Sequence, residues 1–151
     1  MSRLQLALNV SNLEEAVAFY STYFNTEPAK VRPGYANFAI LDPPLKLVLF
    51  AGDGSPGSIN HLGVEVATSN EVTAAADRLS LAGLATEIEE RTTCCFAVQD
   101  KVWVDGPDGS RWEVYKVLAD TDGFEGVAGD PGGCTTNRRE VPSASVTTAC
   151  C

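Results

Sequence analysis

The segment LQLALNVSNLEEAVAFY, starting at Leu4, and the segment NHLGVEVATSNEVTAAADRL, starting at Asn60, are two writings of one pattern. Gln5, Leu6, Leu8 and Val10 of the first align with His61, Leu62, Val64 and Val66 of the second. An internal repeat constrains a fold more tightly than composition does, because each copy must bury the same face in the same way. Alternation of apolar and polar residues makes the start of each copy a strand. A capping box follows each strand, Ser11 with Glu14 and then Thr68 with Glu71, where a hydroxyl and a carboxylate satisfy free helix N–H groups. Leu13, Ala16, Val17 and Tyr20, and later Val72, Ala75, Ala76 and Leu79, recur at helical spacing. Gly83 marks the end of the second helix. Strand-like runs come next: YANFAIL and LKLVLF in the first copy, CCFAVQ, KVWV and RWEVYKV in the second, with Asp108-Gly109 as the last hairpin turn.

The pattern predicts an α+β fold of two β-α-β-β-β modules whose strands form a curled mixed sheet around a metal-binding cleft. Module one covers residues 1–50, the stretch AGDGSPGS is a linker over 51–58, and module two covers 59–119. Residues 120–151 are rich in Gly, Ser, Thr and Asp without a sustained period, and read as a disordered tail carrying Cys134, Cys150 and Cys151. A chain of 151 residues suffices for one domain with a sizeable core. Its net charge of -9 argues against nucleic-acid and anionic-membrane partners, both of which require clustered Lys and Arg. The N-terminus lacks the features of a signal peptide, and no apolar run is long enough to span a bilayer. The expected location is the cytoplasm, where thiols stay reduced; this favours a metal-type or catalytic use of cysteine over a structural disulfide.

Strand alternation sorts the chemistry onto one face. With Leu6, Leu8, Leu62, Val64 and Val66 under the helices, Gln5, Ala7 and Asn9 point the other way, as do His61, Gly63 and Glu65. Trp112 and Val114 share one face of the last strand, Glu113 and Tyr115 the other. Gln5, His61 and Glu113 therefore converge as candidate ligands and catalytic residues. His61 is the sole histidine. A lone histidine beside a strand is more often structural, but its repeat relation to Gln5 and an inward Glu113 reverse that preference. Imidazole, carboxylate and amide oxygen suit a divalent first-row metal with open positions. Ala7 and Gly63 leave room above it, and Asn9, Glu65, Lys101, Trp103 and Tyr115 are candidates to line the pocket.

Cys94 and Cys95 stand side by side within RTTCCFAVQDKVWVDGPDG, in a chain with five cysteines. The residues alone leave three roles open: apolar core packing, a strained and reducible disulfide between neighbours, or a bidentate site for one thiophilic atom.

The doubled module, with ligands on the first strand of each half and on the final strand, resembles the vicinal oxygen chelate superfamily of glyoxalases, extradiol dioxygenases and fosfomycin resistance enzymes. The resemblance covers residues 1 to about 119. Within it, NHLGVEV, TTCCFAVQDKVWVDGPDG and WEVY together are similar to carbon–arsenic lyases (ArsI type), a group that includes cadmium-induced proteins. That resemblance implies Fe(II)- and O2-dependent cleavage of trivalent organoarsenicals, such as methylarsonous acid and reduced aromatic arsenicals, to arsenite. It implies a metal on Gln5, His61 and Glu113 and arsenic on Cys94 and Cys95. An organoarsenical R–As(III) has two exchangeable positions for two thiolates, whereas arsenite has three and wants a third sulfur. Two departures stand out. The repeat partner of Glu113 falls near Leu47, so a four-ligand glyoxalase site is not completed, and Gln5 replaces the histidine common in extradiol relatives. The alternatives are a non-catalytic As(III)- or Cd(II)-binding resistance protein, or another extradiol-type dioxygenase or thiol transferase. Monomer and homodimer both remain open.

Overall fold

Each copy of the repeat folds as a strand, a helix and three further strands. The computed structural model describes residues 1–121. The first copy comprises β1 (Arg3–Val10), α1 (Leu13–Phe24), β2 (Lys30–Arg32), β3 (Tyr35–Ile40) and β4 (Leu45–Ala51). The second comprises β5 (Ile59–Glu65), α2 (Ser69–Leu81), β6 (Thr86–Cys94), β7 (Ala97–Asp105) and β8 (Arg111–Asp120). By packing, the described residues divide into two compact units: Met1–Glu65 with Gly106–Trp112, and Val66–Asp105 with 113–121.

In the first unit the strand order is β2-β3-β4-β1-β5. β1 runs parallel to β4, pairing Gln5 with Lys46 and Ala7 with Val48, and antiparallel to β5, pairing Gln5 with Gly63 and Ala7 with His61. Mixed pairing follows from the topology, because a helical crossover returns the chain parallel while short turns return it antiparallel. Leu6, Leu8, Val10, Leu13, Ala16, Val17 and Tyr20 pack on a buried cluster of Ala36, Phe38, Ile40, Leu47 and Leu49. Burial of each large apolar side chain contributes about 1.5–3 kcal/mol, so this face holds α1 on the sheet. The opposite face of β1 is buried too, and there the side chains are Gln5, Ala7 and Asn9. The expected cap Ser11 is displaced by one residue: Asn12 is the N-cap, and its side chain accepts from Glu15 N. Asn caps as well as Ser, and here the helix begins at Leu13. Asn25, in the left-handed region, ends α1.

In the second unit the order is β8-β7-β6. Val72, Ala75, Ala76 and Val102 form its core, with Val66 and Val114 packed against it. The capping box of Thr68 and Glu71 is formed in full. After the C-cap Ala82, Gly83 takes φ +82°, Gly83 N donates to Ser80 O and Leu84 N to Leu79 O. This pair of bonds is the Schellman arrangement that a residue without Cβ favours. The run CCFAVQ is not one strand: β6 ends at Cys94, Cys95 and Phe96 form the turn, and Ala97 opens β7, which continues through KVWV. Strands β2 and β6 lie outside the expected runs. β6 reads TEIEERTTC, with too many charges to announce a strand, and β2 is only three residues long. β8 extends to Asp120. Among the described residues, no helix is long and apolar enough to cross a membrane. Cys134, Cys150 and Cys151 lie outside the described residues.

Candidate functional site

Of the candidate ligands, Gln5 and His61 belong to the first unit, and Cys94, Cys95 and Glu113 to the second. Pairing of β1 with β5 brings Gln5 and His61 together: they are 4% and 5% exposed, and their Nε2 atoms are 2.9 Å apart. His61 Nδ1 lies 2.8 Å from Asn60 Oδ1, and the Phe50 ring packs against the imidazole at 6.2 Å. With the proton on Nδ1, facing the amide oxygen, a neutral ring would present its Nε2 lone pair toward Gln5. That is the state in which imidazole binds a metal. Glu65, a candidate pocket residue, is engaged by Arg3, whose Nη2 and Nε both lie 2.8 Å from Oε2.

In the second unit Glu113 is 3% exposed, and its Oε2 lies 3.0 Å from Nζ of Lys101, itself 2% exposed. Lys101 also stands over the Trp103 ring, 5.0 Å from its centroid. Buried Glu89 is its cross-strand partner on β6. Glu113 and Tyr115 are buried, as strand alternation predicts.

The thiols sit on a hairpin. Cys94 is 2% exposed, Cys95 is half-buried, and their sulfurs are in contact at 3.3 Å, longer than the roughly 2.0 Å of a covalent S–S bond. Cys95 and Phe96 have φ +52° and +63°. A two-residue turn of this kind favours Asn-Gly, and each non-glycine residue held there costs on the order of 1 kcal/mol. The turn is tied down by Gln99 Nε2 to Cys94 O at 3.4 Å and Thr121 N to Phe96 O at 2.9 Å. Backbone strain therefore orients the sulfurs at a point where Asn-Gly would have been easier.

Nitrogen and oxygen donors from Gln5, His61 and Glu113 fit a first-row divalent cation in type. Leu47 lies on the helix-side core, so the β4 residues sharing the face of Gln5 and Ala7 are Lys46 and Val48. Neither is a carboxylate. Reading the sequence alone missed Asn60 as the neighbour of His61 Nδ1. A bulge in the β1–β5 register, where Ala7 pairs with His61 and Leu8 with Ile59, leaves Asn60 as an extra residue. Strict alternation cannot anticipate that.

The Glyoxalase/Bleomycin resistance protein/Dioxygenase superfamily profile matches residues 3–114. The chain is 67% identical over 124 residues to the cadmium-induced protein CadI of Mycobacterium tuberculosis, covering 82% of each. It is 55% identical over 152 residues to the trivalent organoarsenical cleaving enzyme of Thermomonospora curvata, covering 100% of each. The fold matches the Mn(II)-bound glyoxalase from Novosphingobium aromaticivorans with a TM-score of 0.59 at 18% identity, over 85% of this chain and 44% of that one. With a matching profile over most of its length and close relatives over the same span, the chain belongs to the glyoxalase, bleomycin resistance protein and dioxygenase superfamily.

Proposed function

We propose that the protein is an Fe(II)- and O2-dependent carbon–arsenic lyase that converts trivalent organoarsenicals, methylarsonous acid among them, to arsenite. The observation that carries this reading is the pair of thiols 3.3 Å apart on a strained turn. Two sulfurs 3.3 Å apart are close enough for one thiophilic atom to bond both, since a metal–thiolate bond is about 2.3 Å long. That proximity supports a bidentate role for Cys94 and Cys95. Two thiols displace two hydroxyls from R–As(OH)2 and release two waters, leaving arsenic bonded to two sulfurs and one carbon. A relative named for cleaving trivalent organoarsenicals, matched over its full length, supports the substrate class.

Gln5, His61 and Glu113 would hold the metal. Bound Fe(II) would supply the activation of O2 that cleavage of the carbon–arsenic bond requires. The residues of the chain do the rest. Cys94 and Cys95 fix the arsenical, and the turn's backbone bonds hold their sulfurs in place. Lys101 compensates the Glu113 carboxylate, and both are buried. Arsenite, with three exchangeable positions, is the poorer ligand for a dithiol, which favours its release.

The experiment is incubation of the purified protein with methylarsonous acid and Fe(II) in air. Arsenite formation is expected, and bound arsenical without arsenite would reject the lyase reading. That second result would favour a non-catalytic As(III)- or Cd(II)-binding role, to which the cadmium-induced relative points.

A further inference from the structure

We propose that a hydrogen-bond chain through Ser58, Asn9 and Asn60 fixes the His61 proton on Nδ1 and so keeps the Nε2 lone pair available to a divalent first-row cation. This rests on the reading of His61 as a metal ligand and names three positioning residues behind it.

The chain is continuous. His61 Nδ1 lies 2.8 Å from Asn60 Oδ1, Asn60 Nδ2 2.9 Å from Asn9 Oδ1, Asn9 Nδ2 2.9 Å from Ser58 Oγ, and Ser58 Oγ 2.6 Å from the backbone carbonyl of Ser55. Its polarity is set at the far end. A carbonyl can only accept, so the single hydroxyl proton of Ser58 goes to Ser55, and Ser58 Oγ can only accept from Asn9. Each amide donates from one end and accepts at the other. Asn9 therefore turns its oxygen to Asn60, and Asn60 turns its oxygen to His61. Reversing either amide would set two donors or two acceptors face to face. The neutral ring must carry its proton on Nδ1, and the 2.9 Å approach of Gln5 Nε2–H to Nε2 agrees with a lone pair there.

Two features hold this chain in place. The linker 51–58 binds both backbone groups of Asn9, through Asn9 N to Ser58 O at 2.9 Å and Gly57 N to Asn9 O at 2.8 Å. It also lies against the Asn9 side chain so closely that a Cβ on Gly54 would fall 2.3 Å from Asn9 Cγ. The β5 bulge leaves Asn60 unpaired with β1, which turns its side chain toward both Asn9 and His61. The linker is thus part of the ligand's support.

Because the chain has one histidine, ring-15N labelling of the metal-free protein yields a single imidazole spectrum. The expected result is the Nδ1–H tautomer, the less populated form of a free histidine side chain. Asn60 is exposed, so Asn60→Ala is expected to keep the fold by circular dichroism while mixing or reversing the tautomer. Its Mn(II) affinity should fall by about 10–100-fold, the usual effect of removing a group that orients a ligating histidine. Asn60→Asp retains an acceptor and should restore both readouts. Ser58→Ala, at the far end of the chain, should shift the ring spectrum in the same direction as Asn60→Ala and serves if that variant misfolds. An Nε2–H ring in the wild type, or an unchanged ring spectrum in the folded variants, would overturn the proposal. An Nδ1–H ring that Asn60→Ala disrupts, in a protein binding no Mn(II) or Fe(II), would instead reject His61 as a ligand and leave the proton assignment standing.

Discussion

Lys101 is a cation taken out of water between an indole ring and the carboxylate of Glu113, with Glu89 opposite it. Truncating one partner of such a buried pair typically costs about 3–5 kcal/mol, because the remaining charge keeps its desolvation penalty. Lys101→Met is therefore expected to destabilise the metal-free protein by roughly that amount, read from urea unfolding. A loss below about 1 kcal/mol would show that the pair is solvated, since exposed ion pairs contribute no more than that. Binding and chemistry should also separate residue by residue. Serine retains the size of cysteine but is a harder ligand, so Cys94→Ser or Cys95→Ser should abolish methylarsonous acid binding and leave Fe(II) binding intact. His61→Ala or Glu113→Ala should do the reverse, retaining arsenical affinity while arsenite release disappears. Equilibrium binding of each ligand to each variant checks both directions. Tight arsenical binding in a protein lacking both Cys94 and Cys95, with residues 122–151 also removed, would refute the role of the pair.

At the scale of elements, α2 shows how local chemistry sets a boundary. Thr68 Oγ1 and Glu71 cap each other's backbone N–H, and the hydrogen bond from the Thr68 side chain is the main cause holding the Glu71 carboxyl below its ordinary 4.5. A carboxyl lowered in the folded state stabilises fully above its unfolded value, and that contribution is lost as pH falls through the folded one. Thr68→Ala should cost about 1 kcal/mol at neutral pH. It should also flatten the acid limb of stability below pH 4.5, and pH-resolved thermal unfolding of both proteins tests this. The β6–β7 hairpin is the opposite case. Nothing in Cys95-Phe96 suggests a turn, since both residues resist positive φ, so the thiols read as part of a strand. Here tertiary bonds from Gln99 and Thr121 override local preference.

For the whole molecule, the domain boundary becomes a matter of backbone hydrogen bonds. β8 reaches Asp120, and Thr121 N donates to Phe96 O behind the thiol turn. A chain ending at Thr121 is expected to unfold cooperatively and bind methylarsonous acid like the full chain. One ending at Ala119 loses that bond and part of β8, and should bind the arsenical more weakly at similar overall stability. Equal affinity in the two truncations would show that Thr121 does not brace the turn. The whole molecule also decides metal use: Fe(II) should support turnover and redox-silent Zn(II) should not. Full activity with Zn(II) under argon would remove the oxygen-dependent mechanism.

The repeat, the α+β class, the helix faces and the burial of Gln5, His61 and Glu113 were legible in the residues alone. Those features follow from periods of two and of 3.6 residues, which every strand and helix must obey. The sequence also marked the Cys94–Cys95 pair, because adjacency is covalent. That those thiols ride on a strained turn, that Lys101 faces Glu113 and that Asn60 meets His61 Nδ1 emerge from strand pairing and cannot be read from the residues. Each of these depends on register, and a single bulge, as at Asn60 or between Glu89 and Thr92, shifts which side chains meet without leaving a trace in the period of the residues around it.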